Sequence, residues 1–205
     1  MDYTDLDVKT SELVYVPSED TELAARLLED YLGNVKRKDL AVLDMGTGTG
    51  ALGITAAMNR KVSNVVFADK DGDAIRLAKE NVSANADRLH AECSFVKTDL
   101  FSGIGITDRF DVIIFNPPYL SSEGEKSPLE NTWNGGKTGI EVTVAFMENA
   151  LEHLNDDGAI LIVTSSLADE GRIYPLAKDL GLSVLSKKSV HIFFEDITAV
   201  MFSKQ

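Results

Sequence analysis

The sequence predicts an α/β domain built on a seven-stranded, mostly parallel sheet that ends in a C-terminal antiparallel hairpin. Three observations lead there. Short, continuous apolar runs alternate with helical segments between residues 40 and 180, the pattern of parallel strands covered on both faces. Beyond residue 182 the helical spacing stops, and two apolar stretches, 184–193 and 197–202, flank Glu195-Asp196 as a terminal hairpin. The length of 205 residues, with 44% hydrophobic and 26% charged residues, suits a single globular domain spanning 1–205.

The elements follow in order. Ser18 is a good N-cap, and Glu19 and Asp20 suit the positive end of a helix over 18–32. Leu23, Leu27, Leu28 and Tyr31 recur there at helical spacing, and Gly33 closes the element. A first strand at 40–43 leads into a helix at 50–59, and a second at 65–68 into an amphipathic helix at 73–84. The third strand lies at 94–96 and the fourth at 111–115. A helix over 140–154, a fifth strand at 159–163 and a last long helix at 167–180 precede the hairpin.

Charge and composition exclude several functions. Thirty-three acidic against 20 basic residues give a net charge of −13. Nucleic-acid binding draws most of its affinity from Lys and Arg on phosphates, so no direct nucleic-acid contact is expected. The densest basic cluster, Lys36-Arg37-Lys38, reads as a solvated helix end. No apolar run reaches the roughly 20 residues of a membrane span, and the acidic opening Met1-Asp2-Tyr3-Thr4-Asp5 is not a secretory signal. A lone cysteine, Cys93, excludes an intrachain disulfide and fits a cytoplasmic setting. His90, His153 and His191 lack metal-ligand spacing, so no metal is expected.

In sheets of this kind ligands bind beyond the carboxyl ends of the strands. After the first strand comes Asp44-Met45-Gly46-Thr47-Gly48-Thr49-Gly50, where glycines let the backbone turn sharply and approach a ligand. Asp69 follows the second strand, placed to accept from both hydroxyls of a ribose. Asp99 and Leu100 follow the third, suited to an adenine amine and an adenine face. The glycine pattern and Asp69 fit either S-adenosylmethionine or a nicotinamide dinucleotide. Asp44 beside the turn shifts the balance, since a carboxylate repels a pyrophosphate and attracts a cationic amino-acid group.

The fourth strand decides the matter. Phe115 is followed by Asn116-Pro117-Pro118-Tyr119. A residue before proline is pushed to extended geometry, and prolines donate no backbone hydrogen bond. The stiff corner presents two acceptors, the Asn116 side-chain oxygen and the Pro117 carbonyl, with Tyr119 to cover a planar group between them. That set describes a clamp for a flat NH2, whose delocalised lone pair must be drawn out before it can attack a sulfonium methyl.

With these residues in place the chain resembles the HemK/PrmC-type protein-(glutamine-N5) methyltransferases, specifically their short archaeal and eukaryotic branch. Residues 14–21 (VYVPSEDT) match the branch's opening motif, 44–50 its cofactor loop, 116–120 its NPPYL and 133–139 (WNGGKTG) its W-x-G-G-x-x-G segment. The resemblance implies a Rossmann-like class I fold that uses S-adenosyl-L-methionine, yields S-adenosyl-L-homocysteine and needs no metal. It places residues 1–33 over the cofactor site. Thr21, Asp44, Gly46 and Gly48 would face the cofactor's amino-acid end and turn, Asp69 the ribose, and Asp99 and Leu100 the adenine. Asn116 would bridge cofactor and substrate, with Pro117, Pro118 and Tyr119 holding the amide.

The implied substrate is the glutamine of the GGQ loop in a class 1 translation termination (release) factor, whose arginines suit Glu123, Glu125 and Glu130. Bacterial members carry an extra N-terminal helical domain, which is not expected here. Relatives of the short branch pair instead with a small zinc-binding activator at the third-strand edge, here Cys93 to Lys97, where an unpaired edge calls for cover. Val190 to Phe194 departs from the polar hairpin usual in relatives. The same clamp also accommodates an exocyclic amine of adenine or guanine in DNA or RNA. The residues are compatible, too, with a lysine-methylating activity and with a non-catalytic cofactor-binding scaffold.

Overall fold

The computed structural model describes residues 6–117, 140–168 and 170–204. Its sheet has seven strands in the order β3-β2-β1-β4-β5-β7-β6. They are β1 (Leu40–Met45), β2 (Val62–Asp69), β3 (Glu92–Lys97), β4 (Phe110–Phe115), β5 (Leu154–Ser165), β6 (Leu182–Ile192) and β7 (Glu195–Lys204). The first five are mutually parallel, and β7 runs antiparallel between β5 and β6. The helices are α1 (Glu19–Asn34), α2 (Ala51–Ala57), α3 (Gly72–Ala84), α4 (Glu141–His153) and α5 (Ile173–Asp179).

Period-two alternation sends neighbouring strand residues to opposite faces. Val42, Val65, Phe67, Ile114, Leu161 and Met201 meet Ala24, Leu28, Ile54 and Ala78 of α1, α2 and α3 in one core. Leu43, Ile113, Phe115, Ile160 and Phe202 meet Phe146, Met147 and Ala150 of α4 and Ile173 of α5 in the other. The end of β4 is fixed by an aromatic stack from this second core: Phe115 lies 4.3 Å from Phe146, Phe146 5.5 Å from Phe101, and Phe101 4.9 Å from His153. The corner that follows Phe115 therefore projects from a packed base.

Three expectations need correction. The hairpin turns at Phe193-Phe194, since Ile192 pairs with Glu195 and His191 with Asp196. Glu195 and Asp196 belong to β7 because the end of β5 holds them. Ser165 Oγ donates to the Glu195 carboxylate, Asp196 N to Ser166 Oγ at 2.9 Å, and Ser166 N to Asp196 O at 2.9 Å. The last helix is much shorter than 167–180. Pro175 donates no amide hydrogen and its ring clashes with the carbonyl four residues back, so a helix containing it must begin just ahead of it. Arg37 is a structural bridge, donating to Asp111 Oδ1 at 2.9 Å and to Asp157 O at 3.2 Å.

Candidate active site

The carboxyl ends of β1, β2, β3 and β4 open onto one cavity of about 890 Å3, within the size range of small-ligand sites. Thr21, Asp44, Gly46, Gly48, Asp69, Asp99, Leu100, Asn116 and Pro117, all singled out from the sequence, line it together. Pro118, Tyr119, Leu120, the three glutamates at 123, 125 and 130, and the segment 133–139 lie outside the described residues.

The turn after β1 is held by its own hydrogen bonds. Gly46, Gly48 and Gly50 have φ of 65°, 54° and 86°, a region that costs a side chain strain. Gly48 N donates to Asp69 Oδ2 at 3.0 Å, and Asp71 N to Asp69 Oδ1 at 2.9 Å. Asp69 is thereby fixed at the tip of β2, with burial raising its pKa above the usual carboxylate value. Asp44 is 2% exposed and accepts through Oδ2 from Thr47 Oγ1 at 2.5 Å and from Gly53 N at 2.9 Å. Burial pushes its pKa up to about 7 against the pull of those two bonds, and the neighbouring Asp69 charge adds to the rise. Gly53 is what lets α2 approach: a Cβ there would stand 2.3 Å from the Phe67 ring and 2.9 Å from Asp44 Oδ2.

The other corner is differently built. Asn116 Nδ2 donates to Asp20 Oδ2 at 2.9 Å. A carboxylate offers only acceptors, so the amide nitrogen must face it and the amide oxygen is turned away. That oxygen, Asn116 Oδ1, is buried and has no hydrogen-bond partner among the described residues. Asp20 is itself 2% exposed, and its Oδ1 accepts from Thr21 N (2.5 Å), Thr21 Oγ1 (3.0 Å) and Ser18 Oγ (2.9 Å). Ser18 stands at the N-cap of α1 but its side chain does not cap the helix. Its hydroxyl serves Asp20 instead.

Sequence reasoning read Asp20 only as an acid at the positive end of a helix and missed its link to Asn116. Its one signal was its place beside Thr21 in the opening motif. Asn81 and Asn85 were missed as well. Asn81 in the last turn of α3 and Asn85 just past its end, four residues apart, hold the incoming segment by its backbone. Lys9 N donates to Asn81 Oδ1 (2.9 Å) and Asn81 Nδ2 to Lys9 O (3.0 Å); Asp7 N donates to Asn85 Oδ1 (3.2 Å) and Asn85 Nδ2 to Asp7 O (2.8 Å). This docking carries Val14, Tyr15 and Pro17 to the cavity wall. Leu100 lines the cavity with φ at 46°, and Thr98 Oγ1 donates to its carbonyl at 2.9 Å.

The electrostatics select the ligand. Asp20, Asp44, Asp69, Asp71, Asp99 and Glu141 line the cavity against one cation, Lys70, among the described residues. Such a lining disfavours a pyrophosphate and suits a ligand carrying ammonium and sulfonium charges. Among the described residues no group of His, Cys, Asp and Glu is placed to hold a metal ion, and no helix is long and apolar enough to cross a membrane.

The strand order, the glycine turn after β1 and the Asn-Pro corner after β4 together define a Rossmann-like, S-adenosylmethionine-dependent methyltransferase. The chain belongs to the methyltransferase small domain family, whose model matches residues 6–188, and it groups with relatives named as glutamine methyltransferases. A Methanocaldococcus jannaschii protein provisionally named protein N5-glutamine methyltransferase is 36% identical over 95% of this chain and 94% of its own. The release factor glutamine methyltransferase of Lactococcus lactis is 31% identical over 78% of this chain, which spans 59% of that enzyme's length.

Two solved structures share the fold. The E. cuniculi Mtq2-Trm112 complex, described as responsible for methylation of the eRF1 translation termination factor, superposes with a TM-score of 0.68 at 23% identity, covering 94% of this chain and 99% of that one. A T. thermophilus 16S rRNA N2 G1207 methyltransferase in complex with AdoMet and guanosine superposes at 0.65 with 21% identity, over 93% of this chain and 44% of that one. Protein and RNA methyltransferases thus share the architecture, and substrate choice has to be argued from the site.

Proposed function

We propose that this chain is a cytoplasmic enzyme that methylates the side-chain amide nitrogen of the glutamine in the GGQ loop of a class 1 translation termination factor. One observation carries the reading: the buried oxygen of Asn116, held in place through Asp20 and without a donor among the described residues. A buried acceptor without a partner costs about 1–3 kcal/mol, and an N–H from an incoming NH2 removes that cost. The Pro117 carbonyl would be the second acceptor of the clamp, with Tyr119, which lies outside the described residues, assigned from the sequence to cover the amide.

Asp44 and Thr21 would hold the amino-acid end of S-adenosylmethionine, Asp69 the ribose, and Asp99 with Leu100 the adenine. When bound, the cofactor supplies an electrophilic methyl whose bonding pair to sulfur stays on sulfur as S-adenosylhomocysteine forms. The Asn116 and Pro117 oxygens would accept the two amide hydrogens and hold the nitrogen so that its lone pair is localised and available for attack. The new N–C bond leaves a surplus, acidic amide proton that departs to water, so no general base is needed. Positioning and preorganised dipoles supply the rate.

A small zinc-binding activator pairing with β3 completes the proposal. Among the described residues β3 lies at the sheet edge with β2 as its one neighbour, and Glu92, Ser94 and Lys97 are exposed along it. Burial raises the pKa of the Cys93 thiol, which suits a packed side chain better than a reactive one. The deciding experiment is mass spectrometry of a recombinant class 1 termination factor after incubation with this chain, S-adenosylmethionine and the activator. Methyl on the GGQ glutamine is the expected result. Label confined to lysine, or to an oligonucleotide offered alongside, overturns it.

A further inference from the structure

We propose that the β6–β7 hairpin is a docking finger for the body of the protein substrate, its Phe193-Phe194 tip seating on an apolar patch bordered by basic side chains. The inference rests on the protein-substrate reading above and adds a second, remote contact to it.

The tip is costly to keep for internal reasons. Phe193 is 86% and Phe194 93% exposed. Two-residue turns favour Gly or Asn where φ is positive, yet Phe193 sits there at 53°. A bulky side chain in that region is strained, and one this exposed has little packing to offset the strain. Leu167, 60% exposed just past the end of β5, adds a third apolar side chain near the base. Exposed apolar groups gathered in one place mark interaction sites. The finger is also braced for the purpose. Ser165 and Ser166 hold Glu195 and Asp196, and His191 Nδ1 lies 2.8 Å from Asp196 Oδ1 across the two strands.

Register places the tip relative to the clamp. Phe115 pairs with Ile162, and Ile162 with Val200, so Val200 lies level with the residue before Asn116. From Val200 the strand continues to Glu195 toward the carboxyl edge of β4 and β5. At about 3.4 Å per residue the hairpin projects roughly 17 Å past the level of Phe115, about 10–15 Å to its side. A substrate no larger than an amino acid or a mononucleotide at Asn116 falls short of the finger. A folded protein offering its glutamine on a protruding loop meets it.

The local charge favours a protein over a nucleic acid. Aromatic tips also stack on bases, but Glu195 and Asp196 directly follow the phenylalanines in a chain of net charge −13. Lys188, farther down the hairpin, is 2.8 Å from Asp30. A polyanion is repelled there, whereas basic side chains around an apolar patch are attracted.

The test compares wild type with a Phe193→Gly, Phe194→Ser double variant, in which glycine suits the positive φ and keeps the turn. Acceptors are the termination factor, a short GGQ-loop peptide and an oligonucleotide, each with radiolabelled S-adenosylmethionine. The expected result is a KM for the termination factor raised about 10-fold or more, with kcat, S-adenosylhomocysteine affinity and peptide methylation within twofold. An unchanged KM, or an equal loss on the peptide, overturns the finger while wild-type labelling of the factor leaves the substrate reading intact. Wild-type labelling of the oligonucleotide and not the factor overturns the substrate reading, and the protein-docking finger falls with it.

Discussion

Asp44 and Asn116 sit at the ends of adjacent strands, β1 and β4, and face the same cavity, yet the fold treats them in opposite ways. Asp44 has its Oδ2 occupied by Thr47 and Gly53 before any ligand arrives, and burial opposes its charge. Asn116 has its donor engaged by Asp20, and its acceptor has no partner among the described residues. A group whose geometry is satisfied but whose charge is disfavoured waits for a cation. A neutral group with a buried, empty acceptor waits for a donor. On the proposed function, the contrast corresponds to a cofactor half and a substrate half within one cavity.

Breaking the open side is expected to have the largest effect. Asn116→Ala should lower kcat by about 100-fold or more, the scale for losing one preorganised polar group, while cofactor affinity stays within a few-fold. Isothermal titration with S-adenosylhomocysteine alongside single-turnover methylation separates the two. A turnover close to wild type would remove Asn116 from the chemistry.

Asp20 tests whether orientation, and not mere presence, of the amide matters. In Asp20→Ala the Asn116 amide loses the partner that sets which end faces the cavity, and kcat should fall about 10- to 100-fold, the range for an unsatisfied buried group. Asp20→Asn should be no better, because an amide at 20 can donate to the very oxygen that must stay open. Full activity in Asp20→Asn would show that the carboxylate does not set the orientation. Asp20→Glu, if it restores part of the rate, argues for the charge-assisted bond.

The two halves were unequally legible in the sequence. Asp44, the glycines and Asp69 could be placed because strand tips and glycine turns are local; Gly48 lies in the turn after β1 and Asp69 at the end of the neighbouring strand β2. The Asp20–Asn116 bond joins residues 96 positions apart, and no periodicity reveals a contact made by tertiary packing. Asn81 and Asn85 were hidden for the same reason, since their partners are backbone atoms more than 70 residues away. The hairpin was read correctly as a hairpin, but its turn was set two residues late. Turn chemistry points to acidic residues over phenylalanines, and the hydrogen bonds from Ser165 and Ser166 override that local preference.

On the cofactor side the effects should be smaller and confined to binding. Asp69→Ala removes the acceptor proposed for the ribose hydroxyls and frees Gly48 N, and affinity should weaken by about 1–2 kcal/mol. The apparent KM for S-adenosylmethionine should rise, with kcat at saturation changed less than twofold. A kcat loss comparable to that of Asn116→Ala would mean that the two halves are not separable.

Asp44 offers the finest distinction, through pH. Its folded pKa of about 7 stands above the ordinary 3.8, so between those values the folded, cofactor-free protein binds a proton that the unfolded chain has released. The contribution to stability is therefore fully present below about pH 4 and is lost as pH rises through about 7, at no more than about 1.4 kcal/mol per pH unit. A cationic ligand favours the ionised carboxylate, so cofactor affinity should move the other way, strengthening up to about 10-fold per unit as pH rises toward 7. Asp44→Asn keeps an acceptor for Thr47 and Gly53 but cannot ionise. It should flatten both trends, melting higher than wild type at pH 8 without cofactor and gaining less from S-adenosylmethionine. Thermal unfolding of the two proteins between pH 5.5 and 8, with and without cofactor, measures this directly. Parallel curves for wild type and Asp44→Asn would mean that the carboxylate stays in one charge state across the range, and that the turn binds its ligand by shape alone.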